Sequence, residues 1–127
     1  MRRMVFMSIC LAALPWGCGG TKEPVLAYGK PVNHWLQELK KPESRARKKA
    51  VLALGQIGGA DPEAIPALII AVKDPDAEVR EKAILALLHL GPAAKDAIPA
   101  LTEAQNDVDP AIQAQAKKAL ERIQSGP

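Results

Sequence analysis

The sequence predicts an all-α fold, an open stack of three helix pairs with a period of about 33 residues, and three observations predict it. A step of 33 returns Ala64-Ile65-Pro66-Ala67-Leu68 unchanged as Ala97-Ile98-Pro99-Ala100-Leu101. The same step carries Arg47, Ala50, Ala53-Leu54 and Gly58 onto Arg80, Ala83, Ala86-Leu87 and Gly91, then Ala83, Ala86 and Leu87 onto Ala116, Ala119 and Leu120. A period in this range marks supersecondary units that bury their apolar faces only by stacking on one another. Within a unit the apolar residues keep helical spacing: Ile65, Leu68, Ile69 and Val72 fall at i, i+3, i+4 and i+7. Between the units there is no alternating, strand-like stretch.

The N-terminus comes first in the chain and reads as an address. Arg2 and Arg3 give a basic start, Met4 to Leu14 is a mostly apolar run of 11 residues, and Pro15-Trp16-Gly17 leads to Cys18. Spanning a bilayer takes about 20 apolar residues, so the run is too short for a stable anchor, and residues 1–17 read as a signal peptide. Gly17-Cys18 at its end resembles a bacterial lipoprotein leader, in which a cysteine after a small residue is acylated and becomes the new N-terminus. Pro15 departs from that pattern, which usually has leucine three residues before the cysteine. The resemblance implies lipidation of Cys18 and a membrane-anchored place in the cell envelope, facing the periplasm in a Gram-negative host. Ordinary secretion, or an uncleaved apolar N-terminus on a cytoplasmic protein, is the alternative. Cysteine usage agrees with lipidation: Cys10 lies inside the leader, and a thioether would occupy the otherwise unpaired Cys18 thiol. Residues 18–31, rich in glycine and proline, read as a flexible tether. At about 3.3 Å per extended residue it reaches roughly 40 Å.

The repeat domain is expected over residues 32–127. The first pair is predicted at Val32 to Lys40 and Ser44 to Ile57, with Ser44 as a helix cap. In the second unit Pro66 stands near a helix start, where a missing N–H costs little. Asp74-Pro75-Asp76 then breaks the helix, because the residue before proline is pushed out of the α region, and Asp76 is placed to cap the next helix. That helix runs from Ala77 to Leu90, and Gly91-Pro92 ends it. The third pair is predicted at Ile98 to Asn106 and Ala111 to Gln124. Small residues at Ala50, Ala53, Ala83, Ala86, Ala116 and Ala119 let the helices approach closely.

Asp74-Pro75-Asp76-Ala77-Glu78-Val79-Arg80, followed by Ala83, Ala86-Leu87, Leu90-Gly91 and Ala97-Ile98-Pro99-Ala100-Leu101, resembles HEAT repeats of the short variety first noted in phycobilin lyases. The resemblance covers about Pro31 to Ile123 and implies a right-handed α-solenoid. It also implies a ladder in which the second-helix arginine of one unit meets the turn aspartate of the next, here Arg47 with Asp74 and Arg80 with Asp107. Gln113 and Lys41 depart from the pattern at the two ends. A partly exposed pair of this kind contributes about 0–1 kcal/mol, and the ladder is read as structural. Thr102, Gln105, Lys117 and Lys118 replace the apolar Ile69, Val72, Ile84 and Leu85, as a capping unit requires.

Charge and residue chemistry narrow the function. The chain has 17 basic and 14 acidic residues, and without Arg2 and Arg3 the balance is near neutral. Neither His34 nor His89 stands in a metal-ligand spacing, no nucleophile has a base beside it, and no glycine-rich turn after a strand exists to cradle phosphate. No metal, cofactor or catalytic residue is therefore expected, and the lyase resemblance carries no activity with it. Lys40, Lys41, Arg45, Arg47, Lys48 and Lys49 form a basic patch, but the step of 33 replaces Arg45 and Lys48 with Glu78 and Glu81. Tyr28 and Trp35 are the only aromatics past the leader, so nucleic acid is not the expected partner. The expectation is a membrane-anchored, non-catalytic protein–protein interaction module whose second helices line a shallow concave surface. Its candidate partner-facing residues are Arg45, Lys48, Lys49, Glu78, Glu81, Lys82 and His89. A cytoplasmic nucleic-acid-binding module is the alternative, and a lyase-related accessory protein a more distant one.

Overall fold

Asp-containing turns and helix-stopping glycines divide the chain into six α-helices in the computed structural model, which describes residues 23–126. The first pair is α1 (Val32–Glu38) and α2 (Ser44–Ile57), the second α3 (Ala64–Ala71) and α4 (Ala77–Leu90), the third α5 (Ile98–Ala104) and α6 (Pro110–Gln124). The long second helices match the predicted spans to within one residue. The fold is an all-α solenoid, as the repeat requires. Residues 1–17 and Cys18 lie outside the described residues, so the leader and the lipidation expected there are not addressed by the fold.

Local chemistry sets the helix starts. Asp76 Oδ1 accepts from the backbone N–H groups of Glu78 at 2.9 Å and Val79 at 3.2 Å, satisfying two amides that have no partner within the helix. Asp109 does the same for Ala111 at 2.9 Å. The first unit differs from expectation: Glu43 holds the cap position of α2 without a side-chain bond, and Ser44 is already helical. At the other ends, Gly58 and Gly91 take φ of +52° and +57°, a conformation that side chains resist, and each leads into a 3-10 stretch (Gly58–Ala60 and Gly91–Ala97). The stretch 77–104 contains a run apolar and long enough by composition to cross a membrane, but this turn splits it between α4 and α5.

The second helices pack along their lengths, α2 on α4 and α4 on α6, whereas the short first helices of successive units scarcely touch. The layer of second helices is thus the tighter, inner side of the stack. Small residues permit this approach. Ala50, Ala53, Ala83, Ala116 and Ala119 are completely buried, and a Cβ added to Gly55 on α2 would stand 3.0 Å from the Ala86 Cβ on α4. Leu54, Leu68, Leu87, Leu101, Ile112 and Ile123 fill the space between the layers, and no described polar side chain is buried. On α3 the inward face is Ala64, Ala67, Leu68 and Ala71, with Ile65 and Ile69 half-buried, because this helix packs against both α2 and α4.

The tether expected over residues 18–31 is corrected at its C-terminal end. Leu26–Ala27 (β1) and Lys30–Pro31 (β2) pair antiparallel, Leu26 opposite Pro31 and Ala27 opposite Lys30. Their two-residue turn has positive φ at both Tyr28 (+49°) and Gly29 (+70°), the geometry that suits the twist of a tight hairpin. The hairpin is docked, since Ala27 is buried against α2 and the Trp35 indole N–H donates to the Ala27 carbonyl at 3.1 Å. Tyr28 is held in its unusual conformation by a bond from Gln56 Nε2 to its hydroxyl at 3.0 Å and by edge contact with the Trp35 ring at 6.0 Å.

Candidate interaction surface

The geometry of a helix stack decides which side chains share a surface. On each second helix about half the residues turn inward and against neighbours, leaving one stripe free. On α2 that stripe is Arg45, Lys48, Lys49, Leu52 and Gln56, and on α4, one step of 33 later, Glu78, Glu81, Lys82, Leu85 and His89. On α6 it is Ala111, Ala114, Gln115, Lys118 and Arg122. The seven residues nominated from the sequence therefore lie on one face, the inner side of the stack. Arg45, Lys49, Glu78 and His89 are exposed, while Lys48, Glu81 and Lys82 are half-buried.

Two of the seven are partners of each other. Lys48 and Glu78 form an ion pair that bridges the first and second rungs. Lys49 extends over the Trp35 ring, its Nζ 5.9 Å from the centroid, so this cation is positioned at the hairpin end of the face. The basic patch seen in the sequence is divided by the fold. Lys41 pairs with Glu38 at 2.6 Å, which raises the lysine pKa and holds the Glu38 carboxyl below its ordinary value. Arg47 turns away into the ladder, leaving Lys40, Arg45 and Lys49 outside these pairs.

The ladder that the resemblance to HEAT repeats implied is formed. Arg47 donates from Nε to Asp74 Oδ2 at 2.8 Å and from Nη2 to Oδ1 at 3.1 Å, while Nη1 reaches the carbonyls of Lys41 and Pro42 at 3.0 and 2.6 Å. Arg80 repeats the pattern on Asp107 at 2.9 and 3.2 Å and on the carbonyls of Asp74 and Pro75 at 2.9 and 3.1 Å. The Asp74 carboxylate holds the Arg47 pKa up. Burial pushes the Asp107 carboxyl upward, but the Asp109 N–H and the Arg80 guanidinium outweigh it and keep the group below its ordinary value. At the last rung Gln113 keeps only the carbonyl bond, to Asp107 O at 2.6 Å. These pairs stand away from the inner face and fix the stacking of the units.

The sequence reading missed the apolar part of the face. Between α2 and α4 a shallow depression of about 330 Å³ is lined by Tyr28, Leu52, Leu85 and His89, with Gly55 and Ala86 beneath. Leu52 is 46% exposed and Tyr28 58%, although both are large apolar groups. Lys118 and Arg122 were missed as well. The step of 33 could have found these helix residues, since 52, 85 and 118 are equivalent, as are 56, 89 and 122. Tyr28 carried no such signal. Among the described residues no group of three His, Cys, Asp or Glu side chains stands close enough to hold a metal. His34 sits against the Trp35 ring edge at 4.8 Å.

Residues 32–125 match the family described as HEAT repeats. No curated protein matches the chain. Among solved structures it is similar to the crystal structure of an engineered protein, a Northeast Structural Genomics Consortium target, with 25% identity and a TM-score of 0.59. The likeness covers 76% of this chain and 46% of that one, so this chain spans less than half the length of the engineered protein.

Proposed function

The chain belongs to the HEAT-repeat family, whose repeats generally mediate protein–protein interaction, and from that premise we propose that it is a non-catalytic scaffold that binds a partner protein on its inner face. The observation that carries this reading is the Tyr28–Leu52–Leu85 depression. The inner layer buries Ala50, Ala53, Ala83, Leu87 and Ala116 completely, yet leaves two leucine positions and a tyrosine around one open hollow. Exposed apolar groups rimmed by charges are the usual composition of a binding surface. Lys82 and His89 border the hollow, and Arg45, Lys48, Lys49, Glu78 and Glu81 continue the charged stripe along the same face.

The leader completes the proposal. Lipidation of Cys18 places the module in the cell envelope, and the residues between Cys18 and the hairpin give it reach from the membrane. Gly17-Cys18 after a short apolar run supports this reading. Fractionation and intact mass of the expressed chain beside a Cys18→Ala variant test it: an acylated, membrane-bound wild type with an unacylated, soluble variant is expected, and two identical soluble products would refute it. The binding face is tested by placing a photocrosslinking residue at position 89 on the inner face or at Ile70, which is 75% exposed on α3. Adducts to a protein from position 89 and none from position 70 are expected in the native host. Adducts from position 70 alone would put the binding face on the other side.

A further inference from the structure

We propose that the inner face receives an extended acidic segment of its partner, seated by one large apolar side chain in the depression beside Tyr28. This rests on the reading of the inner face as the protein-binding side and names the chemistry it selects. Charge is sorted between the two sides of the stack. Residues 23–126 contain 14 Lys and Arg against 14 Asp and Glu, so the described domain is neutral. The inner stripe nevertheless holds six of those cations and two of the carboxylates.

Lys48 and Glu78 satisfy each other. What remains is Arg45, Lys49, Lys82, Lys118 and Arg122 against Glu81, and among the described residues none of these five cations is ion-paired. Such a face attracts anionic segments and repels cationic ones, contributing to both encounter rate and selectivity. The cations flank the depression on the first and third rungs, while Lys82 and His89 border it on the second. With helices roughly 8–10 Å apart, three rungs span about 20 Å, the length of some six extended residues. An acidic strand of that length with a central leucine or phenylalanine matches the arrangement.

A nucleic acid fits less well. Glu78 and Glu81 interrupt the cations at the middle rung, and Trp35 is buried, which leaves Tyr28 as the exposed aromatic for stacking among the described residues. An apolar hollow at the centre of the face has no counterpart on a phosphate backbone.

The test uses a fluorescein-labelled dodecapeptide with five glutamates on each side of Leu-Leu, titrated with the full-length Cys18→Ala chain in mild detergent. Saturable binding is expected, falling roughly tenfold or more with the pair Lys49→Glu and Lys82→Glu, and unchanged with Lys95→Glu, an exposed cation outside the stripe. Replacing Leu-Leu by Gly-Gly in the peptide is expected to weaken binding several-fold. A labelled dT dodecamer is the competitor class. Absent peptide binding, equal losses with Lys95→Glu, or tighter binding of the oligonucleotide would each overturn the proposal. Failure of the peptide with persistent protein adducts from position 89 would remove the acidic class and leave the inner-face reading standing.

Discussion

Replacing Arg80 by alanine tests how the units are held in register. The guanidinium donates to both oxygens of Asp107 and to the carbonyls of Asp74 and Pro75, and the two side chains of the pair are only 14% and 11% exposed. An exposed ion pair contributes about 0–1 kcal/mol, whereas hydrogen bonds to charged groups shielded from water contribute about 1.5–3 kcal/mol. The observed burial lies between these cases, so the coupling of Arg80 with Asp107 is expected near 1.5 kcal/mol, with about 1 kcal/mol more from the carbonyl bonds. Arg80→Ala should then destabilise by about 2–3 kcal/mol, more than the sequence alone implied. The third rung supplies an internal comparison, because Gln113 there retains the carbonyl bond without the pair. Arg80→Gln is accordingly expected to be milder than Arg80→Ala by about 1 kcal/mol. Urea unfolding followed by circular dichroism, with Arg80→Ala, Asp107→Asn and the double variant as a cycle, measures each quantity. A loss below about 0.5 kcal/mol for Arg80→Ala, or no coupling in the cycle, would show that helix packing alone sets the register.

Acid should weaken the fold through Asp76 and Asp107. The Val79 and Glu78 N–H groups lower the Asp76 pKa despite some burial, and Asp107 is likewise depressed, so their stabilisation is present above the unfolded value of 3.8 and lost as pH falls through the folded values. Melting temperature is expected to be level well above pH 4 and to fall below it, with a shallower fall in Asp107→Asn; an unchanged slope in that variant would refute the assignment. Gly58→Ala is expected to destabilise by about 2 kcal/mol, because φ is +52° and the new Cβ would lie 2.6 Å from Leu90 Cδ2. Gly59→Ala, with nothing within 4 Å, should change stability by less than about 0.5 kcal/mol in the same melts. Lys117→Ile with Glu121→Leu gives the last unit the apolar residues that Ile84 and Leu88 supply in the second. Sedimentation velocity should then show self-association absent from the unaltered chain, and identical profiles would argue against a capping role.

By itself the sequence determined the period and the spans of the second helices, while its resemblance to HEAT repeats supplied the Arg47–Asp74 and Arg80–Asp107 contacts and the inner face on which Arg45, Lys49, Glu78, Lys82 and His89 were placed. The period and the spans follow from local rules repeated at a fixed step: helical periodicity, proline breaks and aspartate caps need no distant contact to be read. Tertiary structure alone decided the hairpin at Leu26–Pro31, where strands of two residues are too short to show alternation and are held by docking of Ala27 and the Trp35 N–H. It also decided the division of the basic patch, since Arg47 and Lys48 differ by one position yet turn to different neighbours. Only stacking brought Tyr28 over Leu52 and Leu85, residues far apart in sequence, and turned three ordinary surface side chains into the wall of one hollow.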